Sequence, residues 1–201
     1  MYFLRILPMV RQRDGLRNVL KNKDTQEVIV ETLENGVRFC MFPEGKHRTK
    51  HSLQVLGKGV FRAALAANEK FGSERPIYIV PVGIEYGDYF RYRSTSLVNY
   101  GNAINVTEFV KTHDVENDVQ IIEPLRKELT SRMSELMTFI SDDENYEAKW
   151  ALLKMLSIAG SKKGYGDFGT SLYQEMLDNR EIADGIEKAL REKPEEMAEI
   201  L

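Results

Sequence analysis

Apolar runs mark the candidate strands of this chain. Val37–Phe42 and Pro76–Ile84 are almost wholly apolar and lack the alternation of a strand with one wet face. Continuous runs of this kind are typical of strands buried on both faces of a sheet. Pro81 has no backbone N–H, so it predicts a strand end, an edge or a bulge within the second run. Shorter strands are predicted at Ser96–Tyr100 and Ile104–Val106.

Helical spacing of apolar positions separates these strands. A helix predicted from Asp24, its N-cap, to Leu33 ends where Gly36 can adopt the left-handed conformation. A second, Ala-rich helix is predicted within Leu53–Phe71 and ends at Gly72. Because helices alternate with buried strands, the pattern predicts an α/β fold with a mixed, largely parallel sheet flanked by helices.

The second half of the chain has helical spacing almost throughout. We therefore divide the chain into an α/β domain, residues 1–110, and an α-helical C-terminal region, residues 111–201. Met133, Met137 and Trp150 fall at core positions of these helices. The predicted helices of the C-terminal region are Asp118–Ile140, Glu147–Ala159, Ser171–Asp178 and Ile182–Arg191.

Composition and charge exclude several classes of function. Of 201 residues, 42% are hydrophobic and 29% are charged, as is ordinary for a globular protein. The net charge of -3 gives no overall attraction to nucleic acid. The single Cys40 excludes an internal disulfide and a cysteine zinc cluster, and its apolar neighbours predict a buried thiol. No metal-ligand pattern is visible, and no apolar run approaches the ~18 to 20 residues of a membrane span.

The strongest candidate for a binding site follows the first apolar run. Phe42-Pro43-Glu44-Gly45 leads into five basic or imidazole side chains within six positions. The predicted order is strand, turn, cationic loop and helix, which suits a phosphate-bearing ligand at the carboxyl end of a strand. The alternative is a solvated basic loop, and Cys40 stands where a nucleotide-binding loop needs glycine. The cationic residues are Lys46, His47, Arg48, Lys50 and His51.

Three short stretches of this chain occur in the same order as the sequence blocks of a known family: Pro8–Arg11, Phe42–Gly45 and Val80–Gly83. In these stretches the chain resembles the glycerolipid acyltransferase family. Members of that family also carry an N-H-x-x-x-x-D pair ahead of the first stretch, in which the histidine is the general base. Here ten residues precede Arg11 and none is histidine, so the resemblance implies a fragment that lacks the catalytic pair. His113 and Asp118 have the same spacing, but they lie in a polar linker and are not assigned as that pair.

The resemblance implies transfer of a fatty acyl group from acyl-CoA or acyl carrier protein to the hydroxyl of a lysophosphatidate-type acceptor. It implies no metal or cofactor, and this chain alone is expected to be inactive. The alternatives are a phosphate- or phospholipid-binding module without turnover, and a helical interaction module. His47 stands where the family has an arginine, so either His47 or Arg48 would contact the phosphate. The residues implied in acceptor binding are Arg11, Glu44, Gly45, Lys46, His47 and Arg48.

An aromatic and arginine-rich loop, Gly87–Arg93, lies between two predicted strands. Its aromatic residues suit either a lipid-facing loop or ordinary packing, and its arginines suit anionic headgroups or solvent. The implied substrate predicts a cytoplasmic protein in peripheral contact with the inner face of the membrane. The aromatic residues are Tyr89, Phe90 and Tyr92.

Overall fold

The computed structural model describes residues 7, 21–88, 90–113, 118–160 and 171–200, and the chain divides into two compact units. The first unit comprises Met1–Gly45, Gly57–Ile79 and Ile104–Arg126. The second comprises Lys46–Leu56, Val80–Ala103 and Lys127–Leu201. The predicted boundary near residue 110 stays a prediction.

Helices and short strands make up the described part of the chain. The helices are α1 (Lys21–Glu34), α2 (Gly59–Phe71), α3 (Val106–His113), α4 (Asp118–Ser134), α5 (Tyr146–Gly160), α6 (Leu172–Glu192) and α7 (Pro194–Ile200). The strands are β1 (Tyr78–Ile79), β2 (Val82–Tyr86), β3 (Ser96–Tyr100) and β4 (Ile104–Asn105).

The first unit is organised around the apolar faces of α1 and α2. Ile29 and Val30 of α1 are buried. Gly36 has a φ of +76° after α1, and Gly72 has a φ of +62° after α2, which confirms the predicted C-terminal ends of both helices. The predicted N-cap at Asp24 is wrong, because α1 already includes Lys21. Three of the five buried residues of α2 are alanines. Its buried residues are Phe61, Ala63, Ala64, Leu65 and Ala67.

The predicted helix Leu53–Phe71 begins later than expected, at Gly59. The Gly57 N–H donates a hydrogen bond to the carbonyl oxygen of Pro43 at 2.7 Å, outside any helical pattern. Glycine also has a low helix propensity, so this local hydrogen bond is preferred to another helical turn.

The parallel sheet is the main error of the sequence-based fold. The described strands form two separate two-stranded sheets, β1 with β4 and β2 with β3, and both are antiparallel. Val37–Phe42 is irregular rather than a strand, and Phe42 is 76% exposed. The run Pro76–Ile84 is divided at Val80–Pro81, and its two parts pair with different strands. Proline cannot donate to a ladder, so Pro81 separates the two pairings.

The second unit combines the β2–β3 hairpin with α5, α6 and α7. In the hairpin Gly83 lies opposite Asn99 and Glu85 lies opposite Leu97. The hydrophobic core of this unit consists of Ile140, Tyr146, Leu153, Ala183, Ile186 and Met197.

Two helix boundaries in the C-terminal region also differ from the predictions. The helices predicted at Ser171–Asp178 and Ile182–Arg191 form the single helix α6, because no glycine or proline interrupts the chain between them. Ser171 caps α6 as predicted, since its hydroxyl accepts the Gln174 N–H at 3.2 Å. The helix predicted to reach Ile140 ends at Ser134.

Candidate functional site

The cationic loop lies in the second unit, where two of its side chains converge on one carboxylate. Arg48 Nη1 lies 2.5 Å from Asp142 Oδ2, and Lys50 Nζ lies 2.8 Å from Asp142 Oδ1. Hydrogen bonds from Lys50 and Arg48 hold the pKa of Asp142 below its ordinary 3.8. The hydrogen bond between Lys50 and Asp142 also raises the pKa of Lys50. The two cations can therefore share a single anionic group.

An open cavity of about 350 Å³ borders this pair of cations. Arg48 also donates from Nη2 to the hydroxyl of the buried Ser52 at 3.3 Å, which anchors the guanidinium. The carbonyl oxygen of Lys46 accepts a hydrogen bond from Gln54 Nε2 at 3.1 Å. The cavity is lined by His47, Arg48, Thr49 and Lys50.

The residues predicted to bind the acceptor are distributed over both units. Glu44 and Gly45 belong to the first unit, where Gly45 has a φ of +67° and turns the chain sharply. Lys46 and His47 are exposed residues of the second unit. Among the predicted residues, His47 and Arg48 line the same cavity. Arg11 lies outside the described residues, and the assignment of the whole set to a phosphate stays a prediction.

A histidine and a buried carboxylate face each other in the same unit. His51 Nδ1 lies 3.3 Å from Glu85 Oε1. The Glu85 side chain is 8% exposed, whereas that of His51 is 30% exposed and accessible to a ligand. The second carboxylate oxygen of Glu85 accepts the backbone N–H of Thr138 at 3.2 Å. The acid is thus fixed at one oxygen by the backbone and faces an imidazole with the other.

The backbone and the ring of His51 are held independently of Glu85. The His51 N–H donates to the Tyr146 hydroxyl, and the His51 carbonyl accepts from the Ile140 N–H, both at 2.7 Å. The imidazole is stacked on Trp150, with a centroid separation of 4.4 Å and an interplanar angle of 20°. Burial raises the pKa of the Tyr146 hydroxyl above its ordinary 10.0. Trp150, predicted as core, is half-buried, packs against the hydrophobic core of this unit and also stacks on the imidazole.

Sequence reasoning did not assign Glu85, Asp142 or Tyr146 to a site. The sequence carried no signal for Glu85, because the apolar residues of β2 alternate with it and yet Glu85 lies on the buried face. A lone acid at such a position predicts a polar partner. The identity of that partner depends on which loop lies opposite, and the sequence gives no indication of it.

The histidine–aspartate spacing at residues 113–118 does not form a comparable pair in the described part of the chain. His113 ends α3, where its ring is stacked on Phe109 at 4.0 Å and its Nδ1 lies 2.9 Å from the Phe109 carbonyl oxygen. The side chain of Asp118 lies outside the described residues. His113 therefore faces its own helix.

Three further properties concern expectations drawn from the sequence. Cys40 is exposed, which contradicts the predicted buried thiol, because the segment around it is irregular rather than a buried strand. Within the described residues, no group of three or more potential metal ligands occurs. No described helix is both long enough and apolar enough to cross a membrane.

The cationic loop and the His51–Glu85 pair coincide with a family match. Residues 1–85 match the family described as Acyltransferase. The match contains all three stretches that carry the resemblance and ends at Glu85, so the resemblance to acyltransferases is confirmed for this part of the chain. Residues 86–201, with Asp142 and Trp150, lie outside the acyltransferase match. No curated protein and no solved structure matches the chain significantly.

Proposed function

We propose that this chain takes part in glycerophospholipid biosynthesis, as an acyltransferase that acts on a lysophosphatidate-type acceptor. The acyl donor is acyl-CoA or acyl carrier protein, and the acceptor presents a phosphate and a free hydroxyl. The family match supports acyl transfer in general. The acceptor class rests on the cationic loop.

The convergence of Arg48 and Lys50 on Asp142 carries this proposal. Their nitrogens lie 2.5 and 2.8 Å from the two oxygens of one carboxylate, which is also the spacing suited to two oxygens of a phosphate. Asp142 is 29% exposed, so a ligand can reach it from solvent. A phosphate that displaced Asp142 would meet both cations next to an open cavity.

The hairpin loop between β2 and β3 supports a peripheral contact with a membrane. Phe90 is 84% exposed and Tyr92 is 90% exposed. Arg91 and Arg93 lie beside them, so the loop offers both apolar rings and positive charge to an anionic surface. Tyr89 lies outside the described residues. This loop agrees with a protein that works at the inner face of the membrane on a lipid acceptor.

Acceptor binding and acyl transfer are tested on the same protein. Titration calorimetry with lysophosphatidate measures binding, and thin-layer separation of products from labelled acyl-CoA measures transfer. Arg48→Gln should weaken binding by about tenfold, because a charge-assisted contact is lost. Asp142→Asn should strengthen binding, because both cations are released from their carboxylate. Arg191→Gln, an exposed cation in the last turn of α6, is the matched control.

Each outcome has a distinct meaning. Binding that depends on Arg48, together with transfer, supports the proposed acyltransferase. Binding without transfer supports the alternative of a phosphate-binding module. Equal affinity for lysophosphatidate and for a monoacylglycerol, which lacks the phosphate, would remove the basis of the proposed acceptor.

A further inference from the structure

We propose that the open groove between α5, α6 and α7 binds an amphipathic helix of a partner protein, with basic side chains on both sides of its apolar stripe. The groove is formed by residues between 152 and 197, whereas the acyltransferase match ends at residue 85. The inference concerns a protein partner, and it does not depend on the acceptor proposed for acyl transfer.

Apolar side chains and one glycine line the groove, which has a volume of about 360 Å³. It borders the hydrophobic core of the second unit. Leu156 is 43% exposed and the adjacent Met155 is 68% exposed, so the apolar surface continues from the groove along α5. A contiguous apolar surface that is open to solvent is typical of a docking site. The lining residues include Leu152, Leu156, Ile182, Gly185, Ala189 and Met197.

The spacing of the lining residues suits a helical partner. Ile182, Gly185 and Ala189 follow one another at intervals of three and four residues, so they form one stripe along α6. This stripe is about 10 Å long, or two turns, at ~1.5 Å per residue. Leu152 and Leu156, one turn apart on α5, form the other wall. A helix with apolar residues at i, i+3, i+4 and i+7 presents a stripe of the same length to such a groove.

Gly185 keeps the groove open. It is exposed and lies in the interior of a 21-residue helix, where glycine is unfavourable compared with alanine. A Cβ atom at this position would meet no atom within 4 Å, so the space in front of it is open. A large side chain here would occupy the groove, whereas glycine leaves room for a side chain of the partner.

Acidic residues on the same side of α6 favour a basic partner. Asp178 and Glu192 lie two turns before and after Gly185, and Glu181 lies one turn before it, and all three are exposed. The nearby Lys188 lies 3.9 Å from Glu192. Residues 171–201 contain nine acidic and four basic residues, a net charge of -5. This charge attracts a basic helix and opposes contact with an anionic lipid surface.

Two synthetic peptides test the charge and the shape of the partner. The probe is a labelled peptide of about 16 residues, with leucine at i, i+3, i+4 and i+7 and with lysine and alanine elsewhere. In the control peptide, glutamate replaces every lysine. Fluorescence anisotropy measures the binding of each peptide to the whole chain. The lysine peptide should bind with a Kd of about 10 to 100 μM, because the groove is small, and the glutamate peptide should bind at least about tenfold more weakly.

Two pairs of variants locate the binding site. Gly185→Phe fills the groove and should weaken binding of the lysine peptide by about tenfold or more. Ala151→Phe, at an exposed position of α5 outside the groove, should leave the Kd within about threefold. Glu181→Lys should weaken binding by about fivefold, and Asp184→Lys, an equal change of charge on the other side of α6, should weaken it less. Circular dichroism checks that each variant keeps its helices, and the Glu181 and Asp184 pair decides the matter if Gly185→Phe unfolds.

The inference is overturned if the lysine peptide does not bind, if the glutamate peptide binds equally well, or if Gly185→Phe folds and binds like the wild type. Wild-type dimers that Gly185→Phe dissociates, as measured by sedimentation, would assign the groove to a second copy of the chain instead. A fluorescent fatty acid that binds in a Gly185-dependent manner and is not displaced by the lysine peptide would assign it to an acyl chain. Acyl transfer by Gly185→Phe should equal that of the wild type, so failure of this inference leaves the proposed function in place.

Discussion

Substitution of Gly83 tests the close approach between β2 and the segment after α4. A Cβ atom at Gly83 would lie 2.4 Å from the carbonyl oxygen of Leu136 and 2.7 Å from its Cβ. Ordinary contact begins near 3.4 Å, so Leu136 and its backbone would have to move by about 1 Å. The displaced segment donates the hydrogen bonds from Thr138 to Glu85 and from Ile140 to His51. Gly83→Ala should therefore lower the free energy of unfolding by about 3 kcal/mol.

Two other glycines of the same unit provide graded controls. At Gly101 a Cβ would meet side-chain atoms of Leu136 and Pro81 at 3.0 Å, and these can adjust. Gly101→Ala should cost about 1 kcal/mol. At Gly185, within α6, no atom lies within 4 Å, so Gly185→Ala should stabilise the protein by about 0.5 to 1 kcal/mol.

Urea unfolding followed by the fluorescence of Trp150 measures all three variants, because Trp150 belongs to the unit that contains them. The expected order of stability is Gly185→Ala, wild type, Gly101→Ala and Gly83→Ala. A Gly83→Ala protein within about 0.5 kcal/mol of the wild type would refute the close approach.

Two further predictions concern a buried charge and the aromatic loop. The buried Lys149 amine lies 2.7 Å from both Asp143 and Glu187. Glu187→Ala should lower the free energy of unfolding by about 2 kcal/mol, because a buried charge loses a partner, and by more than Lys149→Met does. Urea unfolding measures both variants. The hydrogen bond from Lys149 holds the pKa of Asp143 below its ordinary 3.8. The stabilisation from this pair is therefore present above pH 3.8 and is lost as the pH falls through the lower pKa of the folded state. Lys149→Met should not lose this stabilisation in acid, and a variant with the same loss of stability in acid as the wild type would contradict the pairing. Phe90→Ser together with Tyr92→Ser should reduce co-sedimentation with vesicles of anionic lipid, and equal co-sedimentation would exclude this loop as the membrane contact.

The amino-acid sequence by itself determined the local features of this protein. The helix ends at Gly36 and Gly72 follow from the freedom of glycine to adopt a positive φ, and the cap at Ser171 follows from its hydroxyl. The order of residues 8–11, 42–45 and 80–83 indicated the acyltransferase resemblance that the family match confirms. These features depend on a few neighbouring residues, so they can be read without knowledge of the fold.

The tertiary structure decided which distant segments meet. Helix α4 stops at Ser134 although its apolar spacing continues, and beyond it the N–H groups of Thr138 and Ile140 bond to the Glu85 carboxylate and the His51 carbonyl. Asp142, the partner of Arg48, is likewise remote from it in sequence. The same holds for Glu85, the partner of His51. A buried or half-buried charge must find a counter-charge, and only the packing of the chain determines which residue supplies it.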